Sequence, residues 1–207
     1  FHIQAKGALY NAIDLDEIQR RLAHPVRNFR EEYGIPDQAD VITFTGRLLA
    51  EKGLLPLVQA FKKVRSQYPD TYLCIAGDGD LEEELKKQSD SHILLLGRLD
   101  SGEIVDLLGN SDIFCLPSVS EGFSTSLLEA AACKNYIVVT DSACPRELLP
   151  DDRYARILPE LTEGSIQEGL LWALSHPRDR QEAAARAYER LASHFTWKIV
   201  TDRIQKI

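Results

Sequence analysis

Short, uninterrupted apolar runs, each followed by an amphipathic stretch, most constrain what this chain can fold into. The runs cover residues 41–46, 71–77, 92–97, 112–117 and 136–141, with a shorter one near 155–158. A strand wet on one face alternates apolar and polar residues. These runs do not alternate, so both faces are buried. A sheet buried on both faces is parallel and covered by helices on each side. Right-handed crossovers wind such a sheet outward from its middle. The expected fold is therefore α/β, a doubly wound parallel sheet of Rossmann-like type. Its ligands bind beyond the carboxyl ends of the strands, which directs attention to loops 46–53, 77–80, 97–102, 117–125 and 141–147.

Helical patterns fill the intervals. Leu55, Val58, Phe61 and Val64 repeat at helical spacing within 54–67. Helices are also expected over 80–89, 101–110, 124–134 and, briefly, 144–149. Residues 14–33 read as helical, with Asp14 as cap and Pro25 as a break. Two more helices, 162–175 and 178–194, flank His176-Pro177, and a last one covers 197–207. The chain thus divides into a lead-in over 1–40, the Rossmann-like domain over 41–160 and a helical tail over 161–207.

Composition excludes some functions. With 24 Lys plus Arg against 32 Asp plus Glu, the net charge is −8, and a nucleic-acid partner would need a basic stripe. No run of 18 apolar residues marks a membrane span, and no leader pattern is visible. Cys74, Cys115, Cys133 and Cys144 have neither metal-ligand nor C-x-x-C spacing, and Cys74 and Cys115, inside apolar runs, read as small buried hydrophobes in a reducing, cytoplasmic setting. The five histidines sit outside the loops or at strand starts, and none is assigned a catalytic role. The chain starts at Phe1 and contains no Met, so it reads as truncated at its N-terminus.

Three loops carry the chemistry. Loop 46–53 reads GRLLAEKG and places Arg47 and Lys52 at the ligand end of the sheet. Arg can grip two phosphate oxygens and Lys supplies a point charge; a solvated charged turn is the plainer alternative. Loop 117–129 opens a helix with Gly122 and the hydroxyls of Ser124, Thr125 and Ser126, where free N–H groups and the helix dipole favour a phosphate. Glu121 precedes that helix and Glu129 lies inside it. A carboxylate cannot help bind phosphate, but it accepts hydrogen bonds from sugar hydroxyls. Glu129 also stands in the apolar run from Leu127 to Ala132, where an acid is costly unless partnered. Together these features point to a ligand with both phosphate and sugar. Gly77-Asp78-Gly79 lacks the third glycine of a dinucleotide loop and reads better as a strand-to-helix turn. Gly97-Arg98-Leu99 could meet a base or be ordinary surface. Arg146 and Glu147 could form a capping ion pair or contact a sugar.

In order along the chain, GRLLAEKG, IAGDG, LLGR, SDIFCLPSVSEGFSTSLLEAAAC and VVTDSACPRE resemble the C-terminal, donor-binding domain of family 4 glycosyltransferases, retaining enzymes of the GT-B fold. The resemblance runs from about residue 9 to 150, and Phe195-Thr196-Trp197 matches the break before that family's last helix, which crosses to an N-terminal domain. Its specific part is the Glu121–Glu129 pair, with Glu121 inside PSVSEGF. It implies that Arg47 and Lys52 hold the donor diphosphate and that Glu129 binds the ribose. Glu121 would face the transferred sugar with the amides of Gly122, Phe123 and Ser124. The amides of Ser126 and Leu127 would meet the β-phosphate, and Arg98 and Leu99 would flank the base. Sugar would pass from a UDP- or GDP-sugar to an acceptor hydroxyl with retention, without a metal, because the cations and the helix start neutralise the leaving diphosphate. The acceptor would be a glycan, a lipid-linked sugar or a small molecule, polysaccharide assembly being the family's commonest use. The missing N-terminal domain would be the other partner and the source of any peripheral membrane contact. The 207 residues alone would bind nucleotide weakly and transfer nothing.

This chain departs from the family at Ser124, Lys134, Ala143 and Cys144, where relatives usually carry glycine. Two other readings stand beside the first: a nucleotide-sugar-binding relative such as an epimerase, and a non-catalytic scaffold.

Overall fold

The computed structural model describes residues 10–204. The lead-in before Tyr10 and the last three residues of the expected final helix lie outside them. The strands are β1 (Asp40–Thr45), β2 (Thr71–Ala76), β3 (Ile93–Gly97), β4 (Ile113–Leu116), β5 (Tyr136–Thr140) and β6 (Arg156–Leu158). They pair in parallel in the order β3-β2-β1-β4-β5-β6. The direction of winding reverses between β1 and β4, and a crevice opens beyond their carboxyl ends.

The helices are α1 (Leu15–Ala23), α2 (Phe29–Glu32), α3 (Leu54–Arg65), α4 (Glu82–Gln88), α5 (Ser101–Gly109), α6 (Thr125–Ala132), α7 (Glu163–Ser175), α8 (Pro177–His194) and α9 (Trp197–Ile204). The Asp14 side chain caps α1 by accepting from the Glu17 amide, and the lead-in helix breaks before Pro25. Asp100 and Glu103 form a reciprocal capping box on α5. One expectation fails: residues 144–149 form turns rather than a helix. Cys144 precedes Pro145, which disfavours helical backbone there, and it is extended at ψ 117° after a short 3-10 turn at Asp141–Ala143. No helix among the described residues is long and apolar enough to cross a membrane.

Alternate residues of β2 feed two apolar clusters. Leu73 and Ile75 join the larger one with Ile42, Phe44 and Phe61, whereas Cys74 and Ala76 join Val41, Leu107 and Phe29. Burial on both faces explains the unbroken apolar runs. Truncating Phe44 or Phe114, both fully buried, would cost roughly 3–5 kcal/mol.

Glycines bring the loops at the carboxyl end together. A Cβ on Gly77, at φ 147°, would lie 1.8 Å from the Gly46 carbonyl oxygen, so Gly77-Asp78-Gly79 is a turn that packs against loop 46–53. The Leu48 amide donates to the Asp78 carbonyl at 2.7 Å. Gly53, at φ 69°, lets loop 46–53 reach loop 117–124, where a Cβ would stand 2.1 Å from the Pro117 carbonyl oxygen.

Candidate functional site

The crevice between β1 and β4 is where the two chemically interesting loops meet. After β1 the chain makes a 3-10 turn at Ala50–Lys52. The Val119 amide donates to the Glu51 carbonyl at 2.8 Å, and Ser118 Oγ donates to the same oxygen at 3.2 Å. This stitching places Lys52 opposite Glu121. Lys52 Nζ donates to Glu121 Oε1 at 2.6 Å, with only 13% and 15% of the two side chains exposed.

Helix α6 supplies the next elements. Ser124 is its N-cap, yet its hydroxyl pairs with Ser126 Oγ at 2.8 Å instead of capping an amide, and the first turn contains no acid. The leading N–H groups are left for an anion. The second turn carries Glu129, whose carboxylate has no hydrogen-bond or ion-pair partner among the described residues. Burial pushes its pKa up to about 7, because a charge is disfavoured where water is scarce.

A cavity of about 240 Å³ collects these groups, lined by Thr45, Gly46, Arg47, Lys52, Glu121, Ser124, Ser126 and Glu129, with Phe44, Ile104 and Leu116 as its apolar wall. Glu129 also borders a neighbouring groove of about 510 Å³ between α1, α5 and Trp197. The cavity therefore combines two basic side chains and the start of α6 with Glu129, an acid able to accept hydroxyl donors.

Other expected residues are placed differently. Arg47 reaches the cavity but is 70% exposed, 3.9 Å from Glu51. Arg98 is 83% exposed, 3.8 Å from Asp78, and Leu99 packs against the smaller apolar cluster; neither lines this cavity. The Leu127 side chain is fully buried, leaving only its backbone for a ligand. Gly122 is open to solvent, and the Phe123 ring is packed between Tyr10 and Phe195. Arg146 pairs with Asp141 away from the cavity lining. Burial pushes the Cys74 and Cys133 thiols up to about 12, Cys115 higher still and Cys144 up to about 11, so none is a ready nucleophile.

Two residues escaped sequence reasoning. Thr45 lines the cavity with its hydroxyl buried and unpartnered among the described residues; its place as the last residue of the first apolar run was the available signal. Asn11 donates from Nδ2 to the Phe123 carbonyl at 2.6 Å, a contact across 112 positions that no local pattern announces.

Comparisons with known proteins bear on the family and the fold. Residues 25–190 match the family described as glycosyl transferases group 1. A phosphatidyl-myo-inositol mannosyltransferase of Mycolicibacterium smegmatis is 28% identical over 179 residues, covering 84% of this chain and 46% of the relative. A glycogen synthase of Mycobacterium tuberculosis is 30% identical over 164 residues, covering 77% and 40%. The chain spans about half the length, or less, of the curated relatives it matches. Among solved structures, the C-terminal domain of a group 1 glycosyl transferase from Francisella tularensis superposes with TM-score 0.73 at 23% identity, covering 89% of this chain and 99% of that one. Anabaena HepE in complex with UDP superposes with TM-score 0.83 at 17% identity, covering 97% and 56%. The fold is that of GT-B glycosyltransferase domains. The matched span encloses every loop that builds the cavity, and the chain belongs to the glycosyl transferase group 1 family.

Proposed function

We propose that this chain is the donor-binding part of a family 4 glycosyltransferase that moves a sugar from a UDP- or GDP-sugar to an acceptor hydroxyl with retention of configuration. One observation carries the reading: Arg47, Lys52, Glu121, Ser124, Ser126 and Glu129, drawn from segments up to 82 positions apart, line one cavity at the switch point of the sheet. In this reading the diphosphate lies against Lys52, Arg47 and the start of α6, with the amides of Ser126 and Leu127 at its β-phosphate. Glu129 accepts from the ribose hydroxyls. Glu121 faces the sugar beside the amides of Gly122, Phe123 and Ser124. Arg98 and Leu99, outside the cavity, border the path to the base.

Chemically, the acceptor oxygen forms a bond to the anomeric carbon as the bond from that carbon to the diphosphate breaks, and the acceptor proton is released. Negative charge grows on the leaving diphosphate. Two cations and a helix start already positioned there lower the barrier without reorganising, and the reaction draws on no metal. Lys52 must exchange its contact with Glu121 for the phosphate, which frees Glu121 for the sugar.

The departures from the family bear mainly on donor choice. Lys134 sits at φ 59°, the left-handed backbone that glycine adopts freely, so that substitution strains a turn without entering the cavity. Cys144 Sγ faces the Leu149 carbonyl at 3.5 Å. The names of the relatives, with phosphatidyl-myo-inositol among their substrates, favour a lipid-linked acceptor and a membrane-peripheral full-length protein. The acceptor site belongs to the other half of the enzyme.

Titration of UDP, GDP, UDP-glucose and GDP-mannose into the 207-residue chain tests the reading. A ligand that binds only the folded state raises the melting temperature, and Lys52→Ala and Glu129→Ala should abolish the shift. No shift with any of the four at millimolar concentration would favour a scaffold role. Single-turnover transfer should be undetectable with this chain alone.

A further inference from the structure

Resting on that functional reading, we infer that Asn11 is a positioning residue that aims the backbone of the Gly122–Ser124 segment at the donor's sugar. The two halves of loop 117–124 are held by different means. Its first half is tied to the β1 side: Val119 and Ser118 bond to the Glu51 carbonyl and Glu121 bonds to Lys52. The segment after Glu121 has no such ties to loop 46–53. A Cβ on Gly122 would meet nothing within 4 Å. What fixes this second half is remote in sequence. Asn11 Nδ2 donates to the Phe123 carbonyl at 2.6 Å. The rings of Tyr10 and Phe195 close on that of Phe123, with centroids 5.1 and 5.0 Å away, and lie 5.9 Å from one another. Tyr10 and Phe195 are themselves tied by the chain around them. The Ile13 amide donates to the Phe195 carbonyl and the Trp197 amide to the Ile13 carbonyl, each at 3.1 Å.

Peptide geometry turns this clamp into an orienting device. In a trans peptide the carbonyl and the following N–H point in opposite directions. Asn11 holds the Phe123 carbonyl, so the Ser124 N–H is fixed away from Asn11. Without that bond, the Phe123–Ser124 peptide beside an open glycine can rotate. The amides then lose the preorganisation that makes them useful donors to a ligand. Asn11 touches no part of the cavity itself; its effect passes through Phe123.

The test uses the intact 207-residue chain and compares each nucleoside diphosphate with its own sugar conjugate: UDP with UDP-glucose, and GDP with GDP-mannose. The ratio of the two dissociation constants isolates what the sugar adds. Asn11→Asp keeps the shape but cannot donate to the carbonyl. Asn11→Ala removes the side chain from an exposed position and keeps the test open should the added charge hinder folding. In the pair that wild-type protein binds, both variants should lower the ratio about fivefold, the worth of one ordinary hydrogen bond. Affinity for the diphosphate alone should stay within about twofold, since that end of the ligand meets other groups. Hydrogen exchange should quicken at the amides of residues 122–126 and not in β1, β4 or β5. An unchanged ratio, or a wild-type ratio already near one, overturns the inference while leaving diphosphate binding in place. A drop in melting temperature with no change in ratio gives Asn11 a merely structural role. Wild-type protein that binds none of the four ligands brings down the functional reading itself, and this inference with it.

Discussion

The two ends of the sheet keep their charges in opposite ways. Beneath the amino ends of β1 and β4, Arg30 donates to the carbonyls of Asn110, Pro36 and Ala39 and to Asp112, each within 3.0 Å. Asp112 also accepts from the Val41 amide at 2.9 Å, and Arg180 reaches Asp40 at 2.6 Å. On the flank, burial alone would raise the pKa of Asp106. The Arg21 guanidinium and the amides of Arg27 and Val26 outweigh it and hold the carboxyl below its usual range. Beyond the carboxyl ends the pattern is sparse. Arg47 and Arg98 stand 3.9 and 3.8 Å from their acids, Lys52 has one short contact, and Glu129 has none among the described residues. Charges whose bonds are spent inside the protein hold the fold. Charges kept with bonds to spare are available to a ligand.

Breaking the saturated end should have the largest effect on stability. Arg30→Ala takes the guanidinium from the Asp112 carboxylate, which keeps the Val41 amide, and from the Asn110, Pro36 and Ala39 carbonyls, a loss of roughly 3–5 kcal/mol. Denaturant unfolding should show it. Nucleotide affinity, measured where the variant is still folded, should not change. A variant that bound nucleotide poorly but unfolded like the parent would reverse the comparison.

Glu129 gives the next largest effect, of opposite sign. Its pKa is raised by burial from the ordinary 4.5 to about 7, so between those values the folded state holds a proton that the unfolded state releases. Stability from this group is therefore greatest below pH 4.5 and falls as pH rises through about 7, by roughly 1.4 kcal/mol per unit in that window. Glu129→Gln should remove this slope. At pH 8 the variant should be more stable than the parent by roughly 3 kcal/mol, with no difference near pH 4.5. The same change should weaken nucleotide binding, because the neutral amide is a poorer acceptor for two hydroxyls. A stabilised variant that still bound as tightly would separate Glu129 from the ligand.

Much of this could be read before any coordinates. Buried runs announced a parallel sheet because apolar faces on both sides leave no other arrangement, and the cost of an acid between Leu128 and Ala130 marked Glu129. The Lys52–Glu121 contact was not readable. It depends on Gly53 and the Pro117 carbonyl meeting at close range, 64 positions apart, and spacing carries no record of that. Arg47 and Lys52 looked alike in the sequence, but one is held inward by a carboxylate and the other extends into solvent. The turn at 144–149 imitated a helix because Leu148 and Leu149 supply buried apolar side chains, and their amides both bond to the Pro145 carbonyl at 2.9 Å, a single turn that goes no further. Asn11 was hidden by its position in the lead-in, where an exposed polar residue attracts no notice.

At the open end, the three basic residues should differ by how far the protein has already oriented them. Lys52→Ala should weaken nucleoside diphosphate binding at least about tenfold, since a charge-assisted contact to phosphate is lost. Arg47→Ala should weaken it about threefold, because an exposed side chain must be ordered on binding and loses entropy for what it gains. Arg98→Ala should alter neither affinity for UDP or GDP nor the melting temperature measurably, as expected of an exposed charge with a long, screened partner. Calorimetric titration of the three variants at one ionic strength would rank them. If Arg98→Ala proved costlier than Lys52→Ala, the ligand would lie toward the β3 end of the sheet, and the cavity between β1 and β4 would not be the diphosphate's seat.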